Sequence, residues 1–73
     1  MQVEMINVKP ATERVLAFIR TRMPAGAKET TIARPWKEVA SEIGLTHEAV
    51  YRALAQLQRD GQIARDGAKI TLG

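Results

Sequence analysis

Glu48 and Arg52, in the stretch "THEAVYRALAQLQRDG", are the residues whose types and spacing best suit recognition chemistry. Side chains four residues apart lie on the same face of a helix. An arginine fork can donate two hydrogen bonds to guanine O6 and N7, and a glutamate can accept one from cytosine N4. The alternative is an ordinary ion pair on a solvated helix, worth about 0.2–0.5 kcal/mol. The two residues alone do not decide between these interpretations, so the elements that hold them matter.

Other chemistries have little support in the sequence. The chain contains no cysteine and a single histidine, His47, and no further ligands stand at a spacing suited to a metal site. Ser41 and His47 do not form a nucleophile pair, because Ser41 is predicted on the outer face of a helix without an orienting carboxylate. No glycine-rich phosphate loop is present. We therefore expect neither catalysis nor a metal in this chain.

Length and composition indicate one small domain. Seventy-three residues are enough for one compact unit, and a net charge of +3 favours a polyanionic partner only weakly. The absence of cysteine fits a reducing compartment, and no apolar run approaches the roughly 20 residues that span a bilayer. We expect a cytoplasmic domain at residues 10–73 with no membrane partner, preceded by a tail or linker remnant at residues 1–9.

Two helices and a short strand are predicted in the first half of the chain. The first helix runs from Pro10 to about Met23, where "MPAG" ends it. A short edge strand is expected around Thr30–Ile32. A second helix begins near Pro35, and its start is imperfect because Arg34 is a poor N-cap. The buried stripe of this helix is predicted to contain Trp36, Val39, Ala40 and Ile43.

The stretch "EIGLTHEAV" predicts a tight corner between the second helix and a third. Gly44 stands where a left-handed residue ends a helix, and glycine adopts that conformation without steric penalty. Thr46 is a good N-cap for the next helix. With 3.6 residues per turn, the third helix is predicted to turn four apolar residues inward: Val50, Ala53, Leu54 and Leu57. Its opposite stripe contains Glu48, Arg52, Ala55 and Arg59.

A hairpin is predicted at the end of the chain. Gly61 ends the third helix, and "QIARDGAKITL" follows as two strands around Asp66–Gly67. A two-residue loop there places Ile63 opposite Ile70 on one face. The element order is helix, short strand, helix, tight turn, helix, hairpin. It predicts a winged helix-turn-helix: a mainly α protein with a small β-hairpin, in the α+β class, with a three-helix core plus wing.

The segment "WKEVASEIGLTHEAVYRALAQLQRDGQIARDGAKITL" resembles the C-terminal DNA-binding domain of the catabolite activator and fumarate–nitrate regulator (Crp/Fnr) superfamily of bacterial transcription regulators. The resemblance is carried by Glu48 and Arg52 in "HEAVYRAL", by "LQRDGQI" and by "ARDGAKITL", and it covers about residues 10–73. It implies that Glu48 and Arg52 read base edges in the major groove. It also implies that Thr46 contacts a phosphate.

The position of the Glu48–Arg52 pair after the predicted corner favours base readout over a surface ion pair, because recognition helices contact bases in their first turns. His47 stands where the activator often has arginine, and Tyr51 is bulkier than the usual glycine or serine. We predict four base-reading residues: His47, Glu48, Tyr51 and Arg52. Backbone contacts are predicted for Thr46, Gln56, Arg59, Arg65 and Lys69. His47 as a solvated first-turn residue, and Tyr51 and Gln56 as cover for the helix flank, stay open as alternatives.

The resemblance also has implications for partners. Family members carry an N-terminal domain that binds an effector such as a cyclic nucleotide, and a long dimerisation helix; this sequence contains neither. We expect no cofactor in this chain, which is either a fragment of a longer regulator or a stand-alone relative. The implied partners are double-stranded DNA, a second copy in a full-length homodimer, and RNA polymerase. The alternative function is a winged-helix protein-interaction module, which the modest net charge and the acidic Glu38 and Glu42 favour.

Overall fold

Three helices and a three-stranded antiparallel sheet form the structure, a computed structural model that describes residues 10–73. The elements are α1 (Ala11–Thr21), β1 (Glu29–Thr31), α2 (Trp36–Ile43), α3 (His47–Arg59), β2 (Ile63–Asp66) and β3 (Lys69–Leu72). This is the predicted winged helix-turn-helix, so the predicted fold class is confirmed. The tail predicted at residues 1–9 lies outside the described residues.

The core joins all three helices to the inner face of the sheet. Helix α3 packs against α1, α2 and β2, which makes it the central element. All four residues predicted to face inward from α3 are buried, and fully burying one such aliphatic side chain stabilises the fold by about 1.5–3 kcal/mol. The fully buried large side chains are Val15, Ile19, Val39, Val50, Leu54, Leu57 and Ile70. Because the apolar face of α3 is fixed in this core, its polar face must point away from the protein.

Prolines begin the first two helices from the N-cap position. Pro10 was expected in the first helical position, but it has φ −58° and ψ 155° and so precedes the helix. Pro35, rather than Arg34, holds the equivalent position before α2. Proline is tolerated here because the N-cap N–H is not needed by the helix, although proline supplies no side-chain cap: the carbonyl oxygens of Pro10 and Pro35 accept from the N–H groups of Arg14 and Val39 at 3.1 and 3.2 Å.

The sheet has the order β1–β3–β2, so β1 lies at an edge as predicted. The predicted hairpin register is wrong: Ile63 pairs with Leu72, and Arg65 pairs with Ile70. The reason is the turn type. Gly67, with φ 63°, occupies the first loop position, as in a type II′ turn, and Asp66 therefore stays in the strand. Ile63 and Ile70 still share the inner face, because the register differs by two residues rather than one.

Candidate nucleic-acid interface

Gly44 forms the corner between α2 and α3. Its φ of 77° and ψ of 30° are left-handed, as predicted. The N–H of Leu45 donates to the carbonyl oxygen of Ala40 at 2.9 Å, which closes the end of α2. Most L-residues would incur about 1–2 kcal/mol in this conformation, and asparagine less. The corner thus sets the direction in which α3 leaves α2.

Arg14, on α1, supports the same corner from outside it. Its Nη1 atom donates to the carbonyl oxygens of Ile43 and Gly44, each at 3.4 Å. These carbonyls belong to the C-terminal end of α2, where a positive charge also interacts favourably with the helix dipole. Sequence reasoning missed this residue because nothing in the local pattern around Arg14 indicates a contact with a corner about thirty residues away.

Thr46 caps α3, as predicted. Its Oγ1 atom accepts a hydrogen bond from the backbone N–H of Ala49 at 3.0 Å. The hydroxyl hydrogen of Thr46 remains available to donate to a further group, because the cap uses only the oxygen as acceptor. Thr46, His47 and Glu48 are exposed at the start of α3, and the first N–H groups of a helix have no partner within the helix.

The four predicted base-reading residues share the outer face of α3, and we call this set the recognition face: His47, Glu48, Tyr51 and Arg52. All four are exposed. Tyr51 is 49% exposed and is the one large hydrophobic side chain classed as exposed in residues 10–73. Exposed tyrosine combines a large apolar ring with a hydroxyl that can form hydrogen bonds, a combination frequent at interfaces. The recognition face therefore offers a guanidinium that can donate two hydrogen bonds, a carboxylate that can accept them, an imidazole and a phenol ring.

Glu48 and Arg52 do not pair with each other. Across residues 10–73, neither side chain takes part in an ion pair or a side-chain hydrogen bond. The structure thus does not contain the surface ion pair that was the alternative interpretation of this spacing. Within this range both groups are free to contact something outside the protein.

The predicted backbone-contacting residues fall into separate places. At the end of α3, Arg59 Nη2 donates to Gln56 Oε1 at 3.2 Å, and Gln56 Nε2 donates to Asp60 at 3.0 Å. Lys69, at the start of β3, is exposed and lies 3.8 Å from Glu29 Oε2. Arg65 differs from both, because it is half-buried on the inner face of the hairpin. Arg59 and Lys69 face solvent, whereas Arg65 faces the protein.

An ionic cluster that the sequence did not indicate surrounds Glu42. Arg34 Nη1 lies 2.7 Å from Glu42 Oε1, and Arg22 Nη2 lies 3.5 Å from Glu42 Oε2. Arg34 Nε also lies 3.8 Å from Glu38. Both acidic residues that favoured a protein-interaction module are therefore engaged by arginines of the same chain. The outer face of α2 offers less negative charge to a partner than its sequence suggests.

Within the part of the chain that the structure describes, no three histidine or acidic side chains come together as metal ligands. None of the described helices combines the length and apolar character needed to cross a membrane.

Comparisons with known proteins give structural neighbours. No protein-family model matches the chain, and no curated protein matches it significantly. The structure is similar to FixK2 from Bradyrhizobium japonicum, with a TM-score of 0.73 and 30% identity over 90% of this chain. It is also similar to CprK, solved in its reduced form without ligand, with a TM-score of 0.65 and 22% identity over 97% of this chain. At that identity CprK supports the fold alone.

The chain covers 35% of the FixK2 chain and 37% of the CprK chain, so it corresponds to about a third of each neighbour. Both neighbours are regulators of the Crp/Fnr family. The sequence segment from Trp36 to Leu72 resembles the DNA-binding domain of the same family. That resemblance is confirmed: the chain has the winged helix-turn-helix fold, and its structure is similar to about a third of each of two Crp/Fnr family regulators.

Proposed function

We propose that this domain binds double-stranded DNA sequence-specifically, as the output domain of a Crp/Fnr-type transcription regulator. One observation carries the proposal. Glu48 and Arg52 stand exposed on the outer face of α3, and neither has an ionic or side-chain hydrogen-bond partner within residues 10–73. Two unpaired opposite charges on one face suit a partner that offers both hydrogen-bond acceptors and donors at close spacing. The major-groove edge of a G·C base pair is such a partner.

The proposed mechanism places α3 in the major groove with its first turns against the bases. Arg52 donates to guanine O6 and N7, and Glu48 accepts from cytosine N4. His47 and Tyr51 flank this pair, and the Tyr51 ring can contact a thymine methyl group. Ala55 continues the stripe with a small, exposed side chain, which lets the helix approach the groove floor.

Backbone contacts hold α3 in register. The N-terminus of a helix suits an anion, because its free N–H groups and its dipole both face the ligand. We propose that Thr46 and the N–H groups at the start of α3 hold one phosphate. Arg59 and Gln56 hold another near the far end of the helix, and Lys69 holds a third at the wing. Such contacts position the protein without reading sequence.

The domain is proposed to act within a larger assembly in the cytoplasm. A single module reads one half-site, and a homodimer of the full-length regulator would hold two half-sites about 34–36 Å apart, one helical turn of DNA. Effector binding, by a ligand such as a cyclic nucleotide, and contact with RNA polymerase are assigned in this proposal to the full-length regulator and its complex on DNA. The neighbours' greater length supports this division of roles.

The experiment is a selection followed by a salt titration. Duplexes with a randomised central segment are selected for binding to the domain, and affinity for the enriched sequence is compared with that for a shuffled duplex. Phosphate contacts require log affinity to fall linearly with log salt, with a slope of about −0.9 per phosphate. We expect an enriched sequence and a slope of at least about two contacts, because two of the three proposed phosphate contacts use a cationic side chain, Arg59 and Lys69. No enrichment together with a flat salt dependence would favour the protein-interaction alternative.

A further inference from the structure

Arg65 lies on the inner face of the β2–β3 hairpin. Its cross-strand partner is Ile70, which is 1% exposed, and the next pair on the same face is Ile63 with Leu72. Partners across an antiparallel pair share a face, so these four residues lie on the same face of the hairpin. Arg65 is the one charged residue among them. A residue placed here points toward the helices rather than toward a ligand beyond the wing.

The guanidinium of Arg65 is held by Trp36, the first residue of α2. Its Cζ atom lies 5.9 Å from the centroid of the indole ring. Its Nε atom is buried, with no hydrogen-bond acceptor in residues 10–73. A cation within about 6 Å of a tryptophan face is attracted by the ring quadrupole, and this attraction strengthens when the pair is desolvated. The contact therefore ties the wing to the start of α2.

Trp36 also contacts α1. Its ring meets Phe18 in an edge-to-face arrangement, with centroids 6.5 Å apart and planes at 67°. The Cζ atom of Arg22 lies 4.9 Å from the centroid of Phe18. We call the four side chains Arg65, Trp36, Phe18 and Arg22 the arginine–aromatic stack. It joins β2, α2 and the C-terminal end of α1 in one continuous contact.

We propose that Arg65 is a positioning residue that fixes the wing against α2 through Trp36, and that it does not itself contact DNA phosphates. This inference rests on the proposed DNA-binding function, and it revises the backbone contact predicted for Arg65 from the sequence. Lys69 lies on the opposite, exposed face of the hairpin. The wing contact therefore belongs to Lys69, and Arg65 keeps Lys69 in register with the DNA backbone.

The first test needs no DNA. Trp36 is the single tryptophan of the chain, so its fluorescence reports directly on its contact with Arg65. Arg65→Ala uncovers one face of the ring, and we expect emission to move to longer wavelength while the circular dichroism spectrum stays unchanged. The matched control is Arg20→Ala, which removes an equal charge at a cleft shared with Gly61 and Gln62, beyond the end of α3. Unchanged emission in Arg65→Ala would overturn the proposed contact.

The second test is a double-mutant cycle on DNA affinity and its salt dependence. Lys69→Ala is expected to reduce the magnitude of the log–log salt slope by about one phosphate contact. If Arg65 acts by placing Lys69, Arg65→Ala lowers affinity about threefold or more, in line with the strength of a cation–aromatic contact. The salt slope of the double variant then falls, relative to wild type, by about one phosphate contact in total. A loss of about two contacts, with additive affinity changes, would show that Arg65 holds a phosphate of its own.

Arg65→Lys is the conservative variant at this position. It also replaces Arg65→Ala in both tests if the alanine variant does not fold. Lysine keeps the charge but lacks the planar group that stacks on an aromatic ring. We expect it not to restore wild-type affinity, whereas full rescue by lysine would overturn the positioning role. If the wild-type domain binds no duplex, the proposed function fails on its own account. The Trp36 emission of the same variants then still decides whether Arg65 holds the wing.

Discussion

The Nη1 atom of Arg34 lies 2.7 Å from Oε1 of Glu42, which ties the loop before α2 to the last turn of that helix. The other carboxylate oxygen of Glu42 lies 3.5 Å from Arg22, at the end of α1. Glu42 therefore joins two segments around the helix that leads into the Gly44 corner. These side chains are 40–46% exposed, so water and salt screen their attraction.

Glu42→Gln is expected to lower the free energy of unfolding by less than about 1 kcal/mol, because exposed ion pairs are individually weak. Urea titrations at low and high salt measure the effect, and the difference from wild type should shrink at high salt. Glu13→Gln is the control, since Glu13 is exposed on α1 and forms no ion pair within residues 10–73. A large loss of stability that does not depend on salt would show that Glu42 does not act through exposed, screened ion pairs.

Gly44→Ala should destabilise the domain by about 1–2 kcal/mol, because φ 77° is unfavourable for an L-residue with a Cβ atom. Steric crowding is not the cause, because within residues 10–73 an added Cβ would meet one atom, Arg14 Nη1, at an ordinary contact distance of 3.5 Å. Gly44→Asn is the matched variant, since asparagine tolerates the left-handed conformation better. Thermal unfolding should rank wild type above asparagine and asparagine above alanine. Equal stability of the two variants would mean that backbone strain is not the cause.

Thr46 has two proposed roles that substitutions can separate. Thr46→Ala removes the cap and should lower stability by about 0.5–2 kcal/mol, as measured by urea unfolding. Thr46→Asp keeps a good cap and adds a negative charge where a phosphate is proposed to sit. We expect the aspartate variant to be as stable as wild type but to bind DNA markedly more weakly, whereas Thr46→Ser should retain both properties. Unimpaired binding by the aspartate variant would remove Thr46 from the interface.

Leu54 tests the packing that holds α3 in place. It is fully buried, and Leu54→Ala should destabilise by about 2–5 kcal/mol through lost burial and the cavity left behind. Domains of this size have only about 4–11 kcal/mol in total, so much of the stability would be lost. Gln58→Ala, at an exposed position of the same helix, should change stability by less than about 0.5 kcal/mol. Similar unfolding midpoints for the two variants would contradict the assigned inner face of α3.

Features decided by local sequence could be predicted. The corner at Gly44 and the cap at Thr46 follow from backbone chemistry that involves only a few neighbouring residues. The inner face of α3 follows from a spacing that repeats along thirteen residues. The exposure of the recognition face follows from the same periodicity, since a helix with one buried side presents the other.

Features decided by tertiary packing could not be predicted. Arg14 at the corner and Arg65 on Trp36 are contacts between segments about thirty residues apart. The surroundings of Glu42 likewise depend on how α1 lies beside α2. The predicted hairpin register was wrong for a local reason, since the sequence around Asp66–Gly67 is compatible with two placements of a two-residue loop. The position that glycine takes in the turn then decides which residues pair.

Competitive DNA binding by Arg52→Ala decides whether Arg52 reads a base. Wild type, Arg52→Ala and the charge-matched control Arg20→Ala are measured against the selected duplex and against duplexes with each base pair replaced in turn, at one salt concentration. We predict that Arg52→Ala loses about 1–3 kcal/mol of affinity for the selected site and loses its preference at one base pair while keeping the others. The control should keep every preference. An Arg52→Ala variant that still discriminates at every position as wild type does would show that Arg52 does not read a base.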